Sequence, residues 1–135
     1  MDKQLAWMDS VLTVSKEDWV LVVGHHPIFA DTDKSDAERL DMEKRVDTIL
    51  RKHKNVSMYL CGHIHNFQHI RKPGSSIDYV VNSSGSLSRK VKAVDGTQFC
   101  SSESGFSLVS ADKKELCLHM INKDGKVIYT VRQTK

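Results

Sequence analysis

Apolar residues in the first half of the chain follow two different spacings. Between residues 5 and 12 they recur every three or four positions, which predicts a short amphipathic helix ending near residues 15–16. Residues 19–23 are continuously apolar and mostly β-branched, which predicts a strand buried on both faces that ends at Gly24. The chain is therefore expected to open with a helix packed on a sheet.

The next segment predicts a second helix and a second buried strand. Ser35 followed by Glu38 has the spacing of a capping box, and an apolar stripe continues to about His53. Residues 56–61 form another apolar run, so the helix should be the crossover between two parallel strands. Ligands of α/β sheets bind beyond the carboxyl ends of such strands. The residues that follow each strand are therefore candidates for a site.

Beyond residue 66 the segments are shorter and more alternating. Residues 67–70 and 78–81 predict an antiparallel hairpin, and residues 106–109, 116–121 and 127–131 predict a closing meander. Residues 82–105 are rich in Ser and Gly without periodicity, which favours a loop flanking the site. The resulting fold class is α/β, a mixed sheet with helices on one side and a closing antiparallel meander, in one partial domain over residues 1–135.

Composition narrows the functional classes. The 135 residues carry a formal charge of +3, which is too small for a nucleic-acid partner, and no apolar run is long enough to span a membrane. Arg89, Lys90 and Lys92 form the one tight basic cluster, which we interpret as a solvated loop in preference to a phosphate contact. Three cysteines without a C-x-x-C pair indicate reduced thiols.

Four histidines follow the two predicted buried strands. His25 and His26 come after Gly24, while His63 and His65 form an H-x-H pair. Neutral imidazole is the commonest ligand of zinc, iron and manganese, and two such turns at one sheet edge are hard to explain by packing alone. Alternation along a strand predicts that only one of His25 and His26 faces a metal. Asn66 either orients an imidazole or holds the turn.

The remaining histidines and the carboxylates point to no further site. His53, His69 and His119 lie in or beside predicted helices and hairpins without a partner motif, so we interpret them as structural. A binuclear centre needs a bridging carboxylate, and the acidic residues of this chain cluster in helices and turns. The sequence alone therefore predicts metal ligands but an incomplete set.

The histidine motifs resemble those of a known family. The chain is similar to the C-terminal half of the purple acid phosphatases, which are calcineurin-like metallophosphoesterases. The resemblance covers nearly the whole chain, including the first helix, the segment at residues 82–85 and the closing strands. The motifs that carry it are Val22-Val23-Gly24-His25, His26-Pro27 and Gly62-His63-Ile64-His65-Asn66-Phe67-Gln68.

The resemblance implies a fold and a chemistry. The fold is a four-layer αββα sandwich, and the centre pairs ferric iron with zinc, iron or manganese to hydrolyse phosphate monoesters by attack of a metal-bound hydroxide. By this resemblance His25 and His63 bind the divalent metal, His65 binds the ferric ion, and His26 is the catalytic residue on the substrate side. Lys34, in a loop where many members have a histidine, becomes a candidate phosphate contact.

The family's N-terminal motifs, including the bridging aspartate, have no counterpart in this chain. The expected partners are therefore a phosphate ester and a missing N-terminal half, with a dimer through an exposed sheet edge as a further candidate. The chain alone should bind metal weakly and catalyse poorly. Members of the family are often secreted, periplasmic or lysosomal, and no signal peptide is present, so the compartment stays open.

Two other functions remain open from the sequence. The scaffold could serve as a non-catalytic interaction module that uses the sheet edge or the long loop, and its binding would then be indifferent to chelators. Alternatively His25, His63 and His65 could hold one zinc ion of a mononuclear hydrolase, which predicts one tightly bound zinc per chain.

Overall fold

Helices form where the apolar spacing predicts them. The computed structural model describes residues 1–33, 35–82 and 85–135. Its first helix, α1, spans Asp2–Val14. The crossover comprises helix α2 (Asp36–Met42), a π-helical turn (Glu43–Asp47) and helix α3 (Thr48–Lys52). Ser35 is the N-cap, since its hydroxyl accepts the Ala37 N–H at 3.2 Å. Both predicted helices are confirmed.

Eight strands among the described residues form two sheets. The larger sheet has the order β1-β2-β4-β3-β5, in which β1 and β2 are parallel as predicted and β3 and β4 are antiparallel. The smaller sheet is the predicted antiparallel meander β6-β7-β8. The strands are β1 Val20–Val23, β2 Val56–Cys61, β3 Phe67–Ile70, β4 Asp78–Asn82, β5 Thr97–Ser101, β6 Gly105–Ala111, β7 Glu115–Asn122 and β8 Val127–Thr134.

Two sequence-based expectations are wrong in detail. Strand β5 lies inside the segment predicted as a loop, because pairing with β3 supplies a partner that its own weak alternation does not signal. Strand β1 is only half-buried, and Val23 is 74% exposed, because β1 is an edge strand that pairs with β2 alone. A continuous apolar run is therefore compatible with an edge whose other neighbour lies outside this chain.

The core has two layers, one on each face of the larger sheet. On the helix side, Leu12 and Leu50 pack with Val56, Tyr59 and Tyr79. On the other face, the larger sheet packs against the smaller one through a second cluster, whose buried members are Met58, Phe67, Val80, Leu116, Leu118, Met120 and Val131. The described chain therefore forms an αββ arrangement with helices on one side, which confirms the predicted mixed fold.

One flank of the molecule is open and apolar. A groove of about 400 Å³ lies between α1 and β1, and the side chains of Trp7 and Val14 are largely exposed. Strand β6 likewise exposes Phe106 and Leu108. Strands β1 and β6 are both edge strands, and each leaves one set of backbone groups unpaired. No helix of the described residues is long and apolar enough to cross a bilayer.

A buried polar network joins the two sheets. The Asp78 carboxylate, which is 2% exposed, accepts hydrogen bonds from His69 Nε2 at 2.6 Å and Arg71 Nε at 2.7 Å. Its second oxygen accepts from Gln133 Nε2 of β8 at 2.6 Å, and His69 Nδ1 lies 2.8 Å from the Tyr129 hydroxyl. Burial raises the pKa of Asp78, but these three donors outweigh it and hold that pKa below its usual range.

Candidate functional site

The first histidine turn follows β1 directly. Gly24 N–H donates to Leu60 O at 3.0 Å, so the pairing of β1 with β2 continues into the turn. A Cβ at Gly24 would collide with the Tyr59 hydroxyl, and that hydroxyl donates to His26 O at 2.7 Å. Glycine at this position therefore lets a buried tyrosine hold the backbone of the turn. Burial raises the Tyr59 pKa, which keeps the phenol protonated as a donor.

The second turn follows β2 and is tied to the first. Gly62 N–H donates to His25 O at 3.0 Å, and Ile64 N–H reaches back to Gly62 O at 3.0 Å. His63 has φ +76° and His65 has φ +58°, the only non-glycine positive φ values among the described residues. This left-handed backbone costs energy for residues with a Cβ and is concentrated at functional sites. These backbone conformations set the directions in which the two side chains leave the turn.

Three imidazoles converge between these turns. His25 Nε2 lies 3.0 Å from His63 Nδ1, so the protonated one of these two nitrogens donates a hydrogen bond to the other. The candidate ligand atoms of His25, His26 and His63 all lie within 4.8 Å of one another. Atoms bound to one zinc-sized cation are roughly 3–4 Å apart, because each lies about 2 Å from the ion. The cluster can therefore hold a single cation after small side-chain rotations.

His26 lies closer to the other rings than strand alternation predicts. Its ring centroid is 5.0 Å from that of His25 and 4.5 Å from that of His63. Strand alternation does not describe this turn, because β1 ends at Val23 and the following residues bend; that only one of His25 and His26 faces a metal stays a prediction. Alternation applies to extended backbone and does not continue through a bend.

Glu38 is a site residue that the sequence analysis did not identify. Its spacing from Ser35 predicts a capping role, but its carboxylate lies 3.1 Å from His26 Nε2 and 3.6 Å from His63 Nε2. The start of α2 thus brings one carboxylate to the imidazole cluster. A signal existed in the sequence, since the first turn of a crossover helix lies near the carboxyl ends of the strands it connects.

His65 differs from the other three histidines of the two turns. It does not belong to the described cluster, and its Nδ1 is a buried atom without a hydrogen-bond partner among the described residues. A buried polar atom left unpaired costs free energy, so such an atom calls for an explanation such as an ion. The metal roles given by the resemblance to His25, His63 and His65 stay predictions.

Asn66 and Gln68 hold the wall beside His65. Asn66 is 2% exposed, and its Oδ1 accepts Gln68 Nε2 at 2.8 Å. Gln68 is fully buried and makes two hydrogen bonds with the Asp31 backbone. Gln68 Oε1 accepts the Asp31 N–H at 2.7 Å, and Gln68 Nε2 donates to the Asp31 carbonyl at 2.9 Å. The predicted role of Asn66 in orienting an imidazole stays a prediction. Lys34 lies outside the described residues.

The other histidines have structural partners. His53 Nε2 lies 2.6 Å from Asp9 Oδ1, His69 belongs to the inter-sheet network, and His119 Nδ1 lies 2.9 Å from Thr130 Oγ1. Cys61 is buried, and burial raises its thiol pKa, so it remains a neutral thiol. The chemistry of the described site is therefore carried by imidazoles and one carboxylate.

The chain has recognisable relatives. The calcineurin-like phosphoesterase family profile matches residues 1–67. The chain is 30% identical over 141 residues to tartrate-resistant acid phosphatase type 5 of Homo sapiens. The aligned region covers 96% of this chain and 42% of the relative. The chain thus spans less than half the length of the curated relatives it matches.

Solved structures share the fold. GAP50, the anchor in the inner membrane complex of Plasmodium, matches 98% of this chain with a TM-score of 0.84 at 24% identity, over 42% of its own length. The purple acid phosphatase PPD1 of Lupinus luteus matches 97% of this chain with a TM-score of 0.79 at 15% identity, over 28% of its own length. Sequence and fold together confirm the predicted resemblance: the chain is related to the purple acid phosphatases of the calcineurin-like phosphoesterase family and corresponds to a part of their length.

Proposed function

We propose that the protein carrying this chain is a metal-dependent phosphatase that hydrolyses phosphate monoesters. The observation that carries the proposal is the convergence of His25, His26 and His63 beyond the ends of two parallel strands. Relatives of the chain include tartrate-resistant and purple acid phosphatases, which supports the same reaction class. Because this chain spans only part of those relatives, the activity is assigned to the whole protein.

His25 and His63 are proposed to hold one cation of a binuclear centre and His65 the other. The 3.0 Å distance between His25 Nε2 and His63 Nδ1 supports the first assignment. The buried Nδ1 of His65, which has no hydrogen-bond partner among the described residues, supports the second. The donor set therefore fits the implied metals in part. Following the family resemblance, the first cation is proposed to be divalent zinc, iron or manganese and the second to be ferric iron. A binuclear centre also needs a bridging carboxylate, and the carboxylate that the described residues bring to the cluster is that of Glu38.

When bound, the two cations supply an activated water nucleophile and positive charge against the developing charge on phosphorus. The residues of this chain are proposed to bind the cations and to orient the phosphate of the substrate. Glu38 accepts from His26 Nε2 and so keeps a proton on that nitrogen. The His26 ring lies beside the His25–His63 pair, with centroid distances of 5.0 Å and 4.5 Å, and is proposed to contact a phosphate oxygen. Lys34 is proposed as a second phosphate contact.

The open flank is proposed to receive the rest of the domain. Edge strands β1 and β6 and the groove beside α1 expose apolar side chains that need a cover. The relatives are more than twice as long, which supports a covering segment of the same protein. A second copy of this chain is the alternative cover, and the mass of the full-length protein in solution distinguishes a monomer from a dimer.

The test of function is hydrolysis of p-nitrophenyl phosphate by the full-length protein, with metal content measured in parallel. His63→Ala should lower kcat roughly 100-fold or more and reduce the metal content, because it removes a proposed ligand. His119→Ala is the matched control, since His119 bonds Thr130 in the smaller sheet. Full activity in His63→Ala would contradict the ligand assignment.

The same measurements separate the alternatives. One tightly bound zinc per chain with activity in the isolated chain would favour a mononuclear hydrolase built on His25, His63 and His65. Full-length protein without turnover, whose partner binding is unchanged by a chelator, would favour a non-catalytic interaction module.

A further inference from the structure

A polar cavity of about 540 Å³ lies beside the second histidine turn. Its lining comes from residues 31–33, from Ile64 and Asn66, and from a basic segment made of Arg89, Lys90 and Lys92. Ile64 and Asn66 flank His65 in sequence, so the cavity adjoins the candidate metal site. Thr32 lines both this cavity and the small cleft beside His63. The two spaces are therefore neighbours.

The walls of the cavity are held by specific hydrogen bonds. Arg89 N–H donates to His65 O at 2.8 Å, which fixes the basic segment against the histidine turn. Lys92 N–H donates to Asp31 Oδ2 at 2.9 Å, and the buried Gln68 side chain holds the backbone of Asp31 on both sides. Two hydrogen bonds from its own backbone N–H groups therefore hold the basic segment beside the site, although it has no regular secondary structure.

The charges around the cavity leave a cationic excess. The Asp31 carboxylate already accepts the Lys92 N–H, and the Asp33 carboxylate approaches Arg89 only to 4.0 Å. Among the described residues, the ammonium groups of Lys90 and Lys92 have no carboxylate at ion-pair distance. Three cations and two carboxylates therefore line the cavity, which leaves a net charge of +1 and two ammonium groups with no carboxylate at ion-pair distance among the described residues, and this balance favours an anionic ligand. A cavity of this size is within the usual range for small-molecule sites.

We propose that this cavity binds a second anionic group, phosphate or carboxylate, carried by the alcohol part of the phosphate ester substrate. The reacting phosphate would lie at the imidazole cluster, and the second anion would lie between Lys90 and Lys92. This assignment replaces the sequence-based interpretation of the basic cluster as a solvated loop. The position of the reacting phosphate rests on the proposed phosphatase function. The anion site itself rests on the cavity alone.

The test compares two esters with the full-length protein, butyl phosphate and butane-1,4-diyl bisphosphate, by release of inorganic phosphate. In Lys90→Gln/Lys92→Gln the KM for the bisphosphate, relative to that for butyl phosphate, should rise roughly tenfold, because two exposed charges are removed. Added salt should reduce the wild-type preference for the bisphosphate, since the pocket is open to solvent.

Lys113→Gln/Lys114→Gln is the matched control, because it changes the net charge equally in the turn between β6 and β7. It should leave the relative KM unchanged. Equal KM changes for both esters in the Lys90/Lys92 variant, or no change for either, would overturn the proposal.

A second readout separates this inference from the phosphatase proposal. If the wild-type protein hydrolyses neither ester, the proposed function fails, and binding of inorganic pyrophosphate is measured by calorimetry. Weaker binding in Lys90→Gln/Lys92→Gln than in the Lys113/Lys114 control would still support the anion site. Equal binding in both variants, or no binding by the wild-type protein, would overturn it.

Discussion

Replacing Asp78 tests whether the buried polar network stabilises the packing of the two sheets. The carboxylate is 2% exposed and accepts hydrogen bonds from His69, Arg71 and Gln133. Asp78→Asn keeps the shape but removes the charge and one acceptor oxygen. The new NH2 group must then face either the Gln133 amide donor or the His69 and Arg71 donors, so at least one buried donor loses its partner.

The magnitude follows from the three contacts. Leaving one buried donor unpaired costs about 1–3 kcal/mol, and the remaining bonds to a neutral acceptor are weaker than those to a carboxylate. Arg71 is half exposed and can be rehydrated, so the loss stays below the full cost of breaking a buried ion pair, about 3–5 kcal/mol. We therefore expect Asp78→Asn to lower the free energy of unfolding by roughly 2–4 kcal/mol.

Urea unfolding followed by circular dichroism measures this change, with the slope m unchanged if only stability is affected. Asp95→Asn is the matched control, because the Asp95 side chain is 98% exposed and lies 3.7 Å from Lys72, a contact worth less than about 1 kcal/mol. A loss below about 1 kcal/mol for Asp78→Asn, or a loss equal to that of the control, would refute the proposed role of the network.

Three further predictions concern acid stability and the two walls of the site. The pKa of Asp78 in the folded protein is below its value in the unfolded chain. The ionised carboxylate therefore stabilises the fold above the unfolded pKa, and this stabilisation is lost as the pH falls through the folded pKa. Acid titration of the wild type should show this loss of stability, and Asp78→Asn should lack it. Gly24→Ala should destabilise the protein by about 1–3 kcal/mol, because the new Cβ would overlap the Tyr59 hydroxyl. Gly74→Ala should cost about 1 kcal/mol, because Gly74 has open space around it but a φ of +75°. Thermal unfolding measures both changes. Gln68→Leu should release the 31–33 loop and expose its backbone amides to hydrogen exchange; unchanged protection there would contradict the bracing role of Gln68.

The helices and the parallel pair β1–β2 could be predicted because their signals are local. Apolar spacing, the Ser35 cap and the apolar runs each depend on a few neighbouring residues. Strand β5 could not be predicted, because residues 97–101 carry only a weak local alternation and become a strand through pairing with β3, 27 to 34 residues earlier in the chain. The same limit applies to β1, whose apolar run does not reveal whether its second neighbour lies in this chain.

The sequence by itself determined which residue types lie beyond the two strand ends, since Gly24-His25-His26 and Gly62-His63-Ile64-His65 stand directly after the predicted strands. Only the tertiary structure decided which side chains meet. It brings His26 and Glu38 to the His25–His63 pair and leaves His65 outside that cluster, because these positions depend on a bend after β1 and on positive φ values in the second turn. Local patterns record backbone preferences and burial, whereas side-chain convergence arises only when distant segments are packed together.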